Sequence, residues 1–183
     1  MDDNDVAALV LIVIVRGLVP FLILRWPFWG LLICIAGDGF DVFALDLLHA
    51  DVLDRNYHNV DKVFDTYYLA FAAWVVWRRW TDDQLARLTA LSLFALRFMG
   101  VVLHEITDIR AFFFVGANIF ENFYIYVAGR QELDRDYRIK NVRRLLLILL
   151  FAAVPKLLQE YVMHYRESQT WLFVRTHILR WPP

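Results

Sequence analysis

Six stretches of this sequence are almost continuously apolar: 6–24, 28–48, 63–77, 88–103, 111–129 and 145–163. A helix that crosses a bilayer needs about 20 such residues, or about 17 at the short end. A soluble all-α domain with an oily core would keep a polar face on each helix, and 145–153 has none. The composition agrees, with 60% apolar side chains and seven Trp, a mean hydropathy of +0.44, and roughly half apolar content in ordinary soluble domains. The sequence therefore predicts one all-α polytopic membrane domain over 1–183. Six transmembrane helices occupy these stretches, and Lys62, Arg78 and Arg79 snorkel where a run is short.

The connections are short, and no repeat or low-complexity linker divides the chain. An acidic Met-Asp-Asp-Asn-Asp start is unlike the basic start of a secretory signal, so the first run reads as a permanent helix. The single Cys34 makes no intrachain disulfide and reads as packing filler. Pro27 suits the first turn of the second helix, and Thr81 to Arg87 supplies an N-cap with acids in the first turn of the fourth. Residues 129–144 form a charged loop. In the tail, Trp171, Val174, Ile178 and Trp181 at helical spacing predict an interfacial helix. Trp26, Trp77, Trp80 and Trp171 fit interfacial belts.

With six crossings both termini share one face. That face carries six Lys or Arg residues, Arg55, Lys62, Arg110, Arg166, Arg175 and Arg180. The opposite face carries ten, namely Arg25, Arg78, Arg79, Arg87, Arg130, Arg135, Arg138, Lys140, Arg143 and Arg144. The positive-inside rule then places loops 78–87 and 129–144 in the cytoplasm. All five histidines fall on the other face, together with most of the acids.

Asp38 and Asp41 are three apart on the second helix, and Asp61 and Asp65 are four apart at the start of the third. Antiparallel helices could bring the two pairs together. Four carboxylates repel unless protons or cations neutralise them, and hard divalent cations such as Mg²⁺ or Mn²⁺ prefer oxygen ligands. Capping, or pairing with Arg or Lys, would satisfy the same acids without a metal.

Asp-Gly-Phe-Asp at 38–41, followed by Asp-Lys-Val-Phe-Asp at 61–65, resembles the signature of the CDP-alcohol phosphotransferases, integral membrane enzymes that join a CDP-activated lipid or alcohol to an acceptor alcohol. The resemblance implies that Asp38, Asp41 and Asp61 bind Mg²⁺ or Mn²⁺ and that Asp65 is the base acting on the acceptor hydroxyl. It covers roughly 16–65. Val42, Leu45-Asp46 and Tyr57 stand where the family has Gly, Ala-Arg and Gly, the residues that would handle nucleotide phosphates.

Further charges lie mid-span: Arg16, Asp38, Arg97, Glu121 and Lys156, with Asn118 and Asn122 flanking Glu121. His104 with Asp108, and Glu160 with His164, are i,i+4 pairs near the histidine-bearing face and could serve a metal site in a bundle. Intramembrane charges usually face the bundle interior and pair with one another. A polar cavity is expected from Arg16, Arg97, His104, Asp108, Glu121, Asn122, Lys156, Glu160 and His164. No intact P-loop, nucleophile elbow, zinc-finger spacing or nucleic-acid patch is present, and the partners expected are membrane lipids and a homo-oligomer or larger membrane complex. Two functions follow: a metal-dependent transferase acting on lipid head groups, or a non-catalytic accessory subunit whose intramembrane charges form ion pairs. A transporter ranks third, for want of repeats and size.

Overall fold

The computed structural model describes the backbone of residues 13–47, 55–109, 111–112 and 116–160, and the side chains of all of these but 40–47, 55–62 and 159–160. Every regular element among them is helical. In chain order they are α1 at 13–18, α2 Phe21–Arg25, α3 Pro27–Leu47, α4 Arg55–Arg79, α5 Gln84–Thr107, α6 Ile119–Leu133 and α7 Val142–Glu160. The expected tail helix lies outside the described residues.

The first apolar run is not one helix. Pro20 has no N–H to donate, and the chain turns at 19–20 before restarting as α2. α2 is a single turn that folds back on the start of α3, which opens with Pro27 in the helical first turn. Gly30 makes the fold-back possible, because a Cβ there would lie 2.6 Å from the Ile23 Cα. Ile23 is fully buried at this joint.

The fifth run also divides. A helix was expected over 111–129, but α6 begins only at Ile119, after a break at 116–118. Asn118 causes the restart by accepting the Glu121 N–H at 3.3 Å, as an N-cap does. α6 has 15 residues, roughly 22 Å at 1.5 Å per residue, against a hydrocarbon core of about 30 Å. Two smaller corrections concern α5. Its N-cap is Asp83 rather than Thr81, with the Ala86 N–H donating to Asp83 Oδ1 at 3.0 Å, and its first turn holds no acid.

Among the described residues, α5 alone is long and apolar enough to cross a membrane by length and composition, with a mean hydropathy of 1.6 over 18 residues. Only 17% of that window is buried inside the protein. Leu88, Phe98, Met99 and Ile106 of α5 face outward, as do Leu146, Leu150 and Phe151 of α7 and Val63, Trp74 and Trp77 of α4. α3 holds a shorter apolar stretch at Pro27–Gly39.

α6 is the axis of the packing, in contact with α3, α5 and α7. Phe120, Phe123, Tyr124 and Val127 are completely buried, so the first half of this helix is enclosed by its neighbours. Buried alanines on the helices around it, Ala72, Ala73, Ala86, Ala90 and Ala152, keep the core side chains small. Trp80 is also buried and stacks on Tyr124 at 5.5 Å, so it belongs to the core and not to an interfacial belt. Trp26 and Trp77 remain exposed.

The crossing of α5 with the 116–118 break is closer still. Gly100 and Gly116 meet backbone to backbone, and a Cβ on either would sit 2.7 Å from the other's Cα.

Candidate functional site: a chain of charges through the bundle

The polar side chains expected in the interior form two linked groups. Arg16, on α1, is 8% exposed. Its guanidinium makes an ion pair with Asp38 of α3 and reaches Asp65 Oδ1 of α4 at 3.5 Å. It also lies over the Phe64 ring, 5.5 Å from the centroid. The Tyr67 hydroxyl donates to the Gly17 carbonyl at 3.2 Å and so fastens α1 to α4 beside the pair. A cavity of about 20 Å³ adjoins Arg16, lined by Val19, Cys34, Gly37 and Tyr68. That is room for about one water molecule.

Tyr68 carries the chain onward. It lies three residues after Asp65, on the same face of α4, and donates to Glu121 Oε2 at 2.7 Å. Asn118 Nδ2 donates to the same oxygen at 2.9 Å. Lys156 of α7 approaches Glu121 Oε1 at 3.6 Å. Both oxygens of this buried carboxylate are therefore served by residues of α4, α7 and the α6 cap. One residue along α6, Asn122 donates to the Ala152 carbonyl at 3.0 Å. That contact is next to the Phe151 carbonyl, which Pro155 cannot serve because it lacks an N–H. Polar groups from five helices thus form two clusters, Asp38–Arg16–Asp65 and Tyr68–Glu121–Lys156, joined by the adjacent positions of Asp65 and Tyr68 on one face of α4.

Of the acids in the second and third apolar runs, Asp38 and Asp65 converge, and the positive charge between them is Arg16. Asp41 and Asp61 fall among the side chains outside the described residues, as do Glu160 and His164. Among the described residues, no three His, Cys, Asp or Glu side chains gather as a metal site would require.

The other expected cavity residues have local roles at the end of α5. Arg97 donates to the Gly116 carbonyl at 3.2 Å, across the close glycine contact. His104 is buried, with Nδ1 3.3 Å from the Ile109 carbonyl oxygen. Asp108 is the C-cap of α5, exposed and left-handed at φ 56°, and its N–H donates to the His104 carbonyl at 2.7 Å. Asp108 thus closes the helix, with the buried His104 one turn before it. Tyr68 is the member of the chain that sequence reasoning missed, and its spacing from Asp65 was the available signal.

At the opposite end, arginines gather where α4 and α6 terminate and α5 begins. Arg79 donates to the Leu24 carbonyl at the end of α2. Arg138 donates to the Arg135 and Tyr137 carbonyls at 2.9 and 2.8 Å, and its other terminal nitrogen lies 3.4 Å from Asp82. Asp83 Oδ2 accepts the Ile139 N–H at 2.7 Å, holding the loop after α6 against the start of α5. Arg130 and Arg144 lie over the Tyr137 ring at 5.1 and 5.0 Å. Burial, reinforced by the neighbouring Tyr126 phenol, pushes the Tyr137 hydroxyl up to about 12, against the pull of Arg144 and Arg130.

Comparison with family models, with curated proteins and with solved structures yields no match.

Proposed function

We propose that this chain is a non-catalytic, multi-pass membrane subunit whose interior charges neutralise one another and set the register of its helices. The observation that carries this reading is the pairing itself. Arg16 serves both Asp38 and Asp65, and Lys156 serves Glu121, each pair joining separate helices. Arg16 offsets one of the two negative charges of Asp38 and Asp65, and Lys156 offsets that of Glu121, so three described acids keep a single net negative charge between them and attract a divalent cation weakly. The outward-facing leucines and aromatics of α4, α5 and α7 support a lipid environment or a membrane partner around the bundle. The remaining apolar runs cross alongside α5, and loops 78–87 and 129–144 face the cytoplasm.

A second reading has one observation in its favour: Asp38 and Asp65 arrive at one point from two helices. In a metal-dependent phosphotransferase, Asp38, Asp41 and Asp61 would hold Mg²⁺ or Mn²⁺ and Asp65 would be the base. Arg16 would then have to leave the carboxylates before the cation could enter.

Thermal unfolding of the purified protein with and without Mg²⁺ or Mn²⁺ separates the two. The subunit reading expects no shift in midpoint. A rise of several degrees that Asp41→Asn abolishes would overturn it in favour of the enzyme. Orientation is read separately. With Cys34→Ser and one new cysteine within 51–56, labelling from outside intact cells is expected, and protection from the reagent would reverse the topology.

A further inference from the structure

We propose that the cleft where α4 and α6 end and α5 begins binds a phosphate oxyanion, presented in the membrane by the head group of an anionic phospholipid. The cleft has a volume of about 140 Å³, and its wall includes Arg79, Arg135, Arg138, Gln131 and Trp80. Its arginines are positioned mainly by carbonyls. Arg79 rests on the Leu24 carbonyl, and Arg138 on those of Arg135 and Tyr137. A carbonyl orients a guanidinium without cancelling its charge. Each guanidinium has five N–H donors, so both retain donors to offer a ligand. A planar fork with several donors suits phosphate oxygens, and charge-assisted bonds of that kind are the stronger class.

The two acids in the wall do not cancel this field. Asp83 already accepts the Ala86 and Ile139 N–H groups, one on each oxygen. Asp82 takes the Thr81 hydroxyl and one Arg138 nitrogen, with its side chain 75% exposed and so screened by water. Three arginines against two aspartates leave the wall net positive. The chain around it adds Arg78, Arg130, Lys140, Arg143 and Arg144 against Glu132, Asp134 and Asp136, a further net charge of +2. The cleft also lies at the end of α5, the apolar helix, which is the depth at which head groups sit if that helix crosses. Juxtamembrane basic clusters attract anionic lipid for this reason. The interior chain of charges plays no part in the site, so a failed result here leaves the subunit reading standing.

The test uses the full chain in neutral phosphatidylcholine nanodiscs, titrated with phosphatidylglycerol, with the unfolding midpoint as readout. Arg135→Gln is the informative variant, since Arg135 is exposed and the structural contact it gives Arg138 is through its carbonyl. It is expected to weaken the lipid-dependent stabilisation roughly fivefold in half-saturating lipid fraction, the factor lost with one hydrogen bond to the ligand. Arg143→Gln, in the first turn of α7 and outside the cleft wall, is expected to change it less than twofold. A parallel arm in lipid-free detergent adds inorganic phosphate. Stabilisation there that Arg135→Gln weakens assigns a free oxyanion to the same site, whereas a response to phosphatidylglycerol alone assigns a head group. Equal effects of the two variants, or no dependence on either ligand, would overturn the proposal.

Discussion

Replacing Arg16 by Met tests the interior pairing most directly. The methionine keeps much of the aliphatic volume and the contact with Phe64, but removes the cation between Asp38 and Asp65. Breaking a buried ion pair by deleting one partner costs about 3–5 kcal/mol, because the other charge is left behind. Asp38 keeps 38% of its side chain exposed and Asp65 keeps 26%, so water relieves part of that penalty. The low end, about 3 kcal/mol, is the expected loss, roughly a hundredfold change in the folding equilibrium. Reversible unfolding of the detergent-solubilised protein would measure it. Combining Arg16→Met with Asp38→Asn and Asp65→Asn should recover most of the loss, since no bare carboxylate then remains. The reasoning is refuted if Arg16→Met costs less than about 0.5 kcal/mol, the size of an ordinary surface change, or if the triple variant is no more stable than the single one. Recovery of the single variant by Mg²⁺ would instead reveal a carboxylate pair able to take a divalent cation.

Glu121→Leu deprives the Tyr68 hydroxyl, the Asn118 amide and Lys156 of one shared acceptor. Its cost is expected to exceed about 3 kcal/mol, and denaturant unfolding would check it. Gly100→Ala drives a methyl into the Gly116 backbone, where no flexible side chain can yield. A loss of about 1–3 kcal/mol, as for overpacked cores, is expected in the same assay. The Tyr137 phenol has its folded pKa raised to about 12 from an ordinary 10, so the unfolded chain gives up its proton first. Its contribution to stability is whole below pH 10 and declines as pH rises toward 12. Melting curves across that window should flatten in Tyr137→Phe relative to wild type.

The inward turn of Asp38 and Asp65 was legible from the chain, because helical spacing and antiparallel connection bring such positions together. Their counter-charge was not. Arg16 stands 49 residues from Asp65, and only tertiary packing chooses among the available cations. The pairing of Glu121 with Lys156 was foreshadowed by the near balance of mid-span charges. The breaks were harder to see. Apolar runs read alike whether helix or bend follows, so Pro20 and the Asn118 cap were submerged in stretches chosen for hydropathy. Trp80 misled for a related reason. An aromatic at a helix end reads as a belt residue until tertiary packing stacks it on a ring of another helix, here Tyr124 of α6. The match of 38–65 to the phosphotransferase pattern rests on four acids, two of whose side chains lie outside the described residues.

The two oxygens of Asp83 are divided between a helix start three residues ahead and a loop that follows 56 residues later. During synthesis the first partner emerges almost at once and the second only after two more helices have been made. Until then the carboxylate holds one claim and waits for the other. The Arg-rich cleft cannot close over its wall before that late arrival, which makes its completion a marker for the last stage of assembly of this end of the molecule.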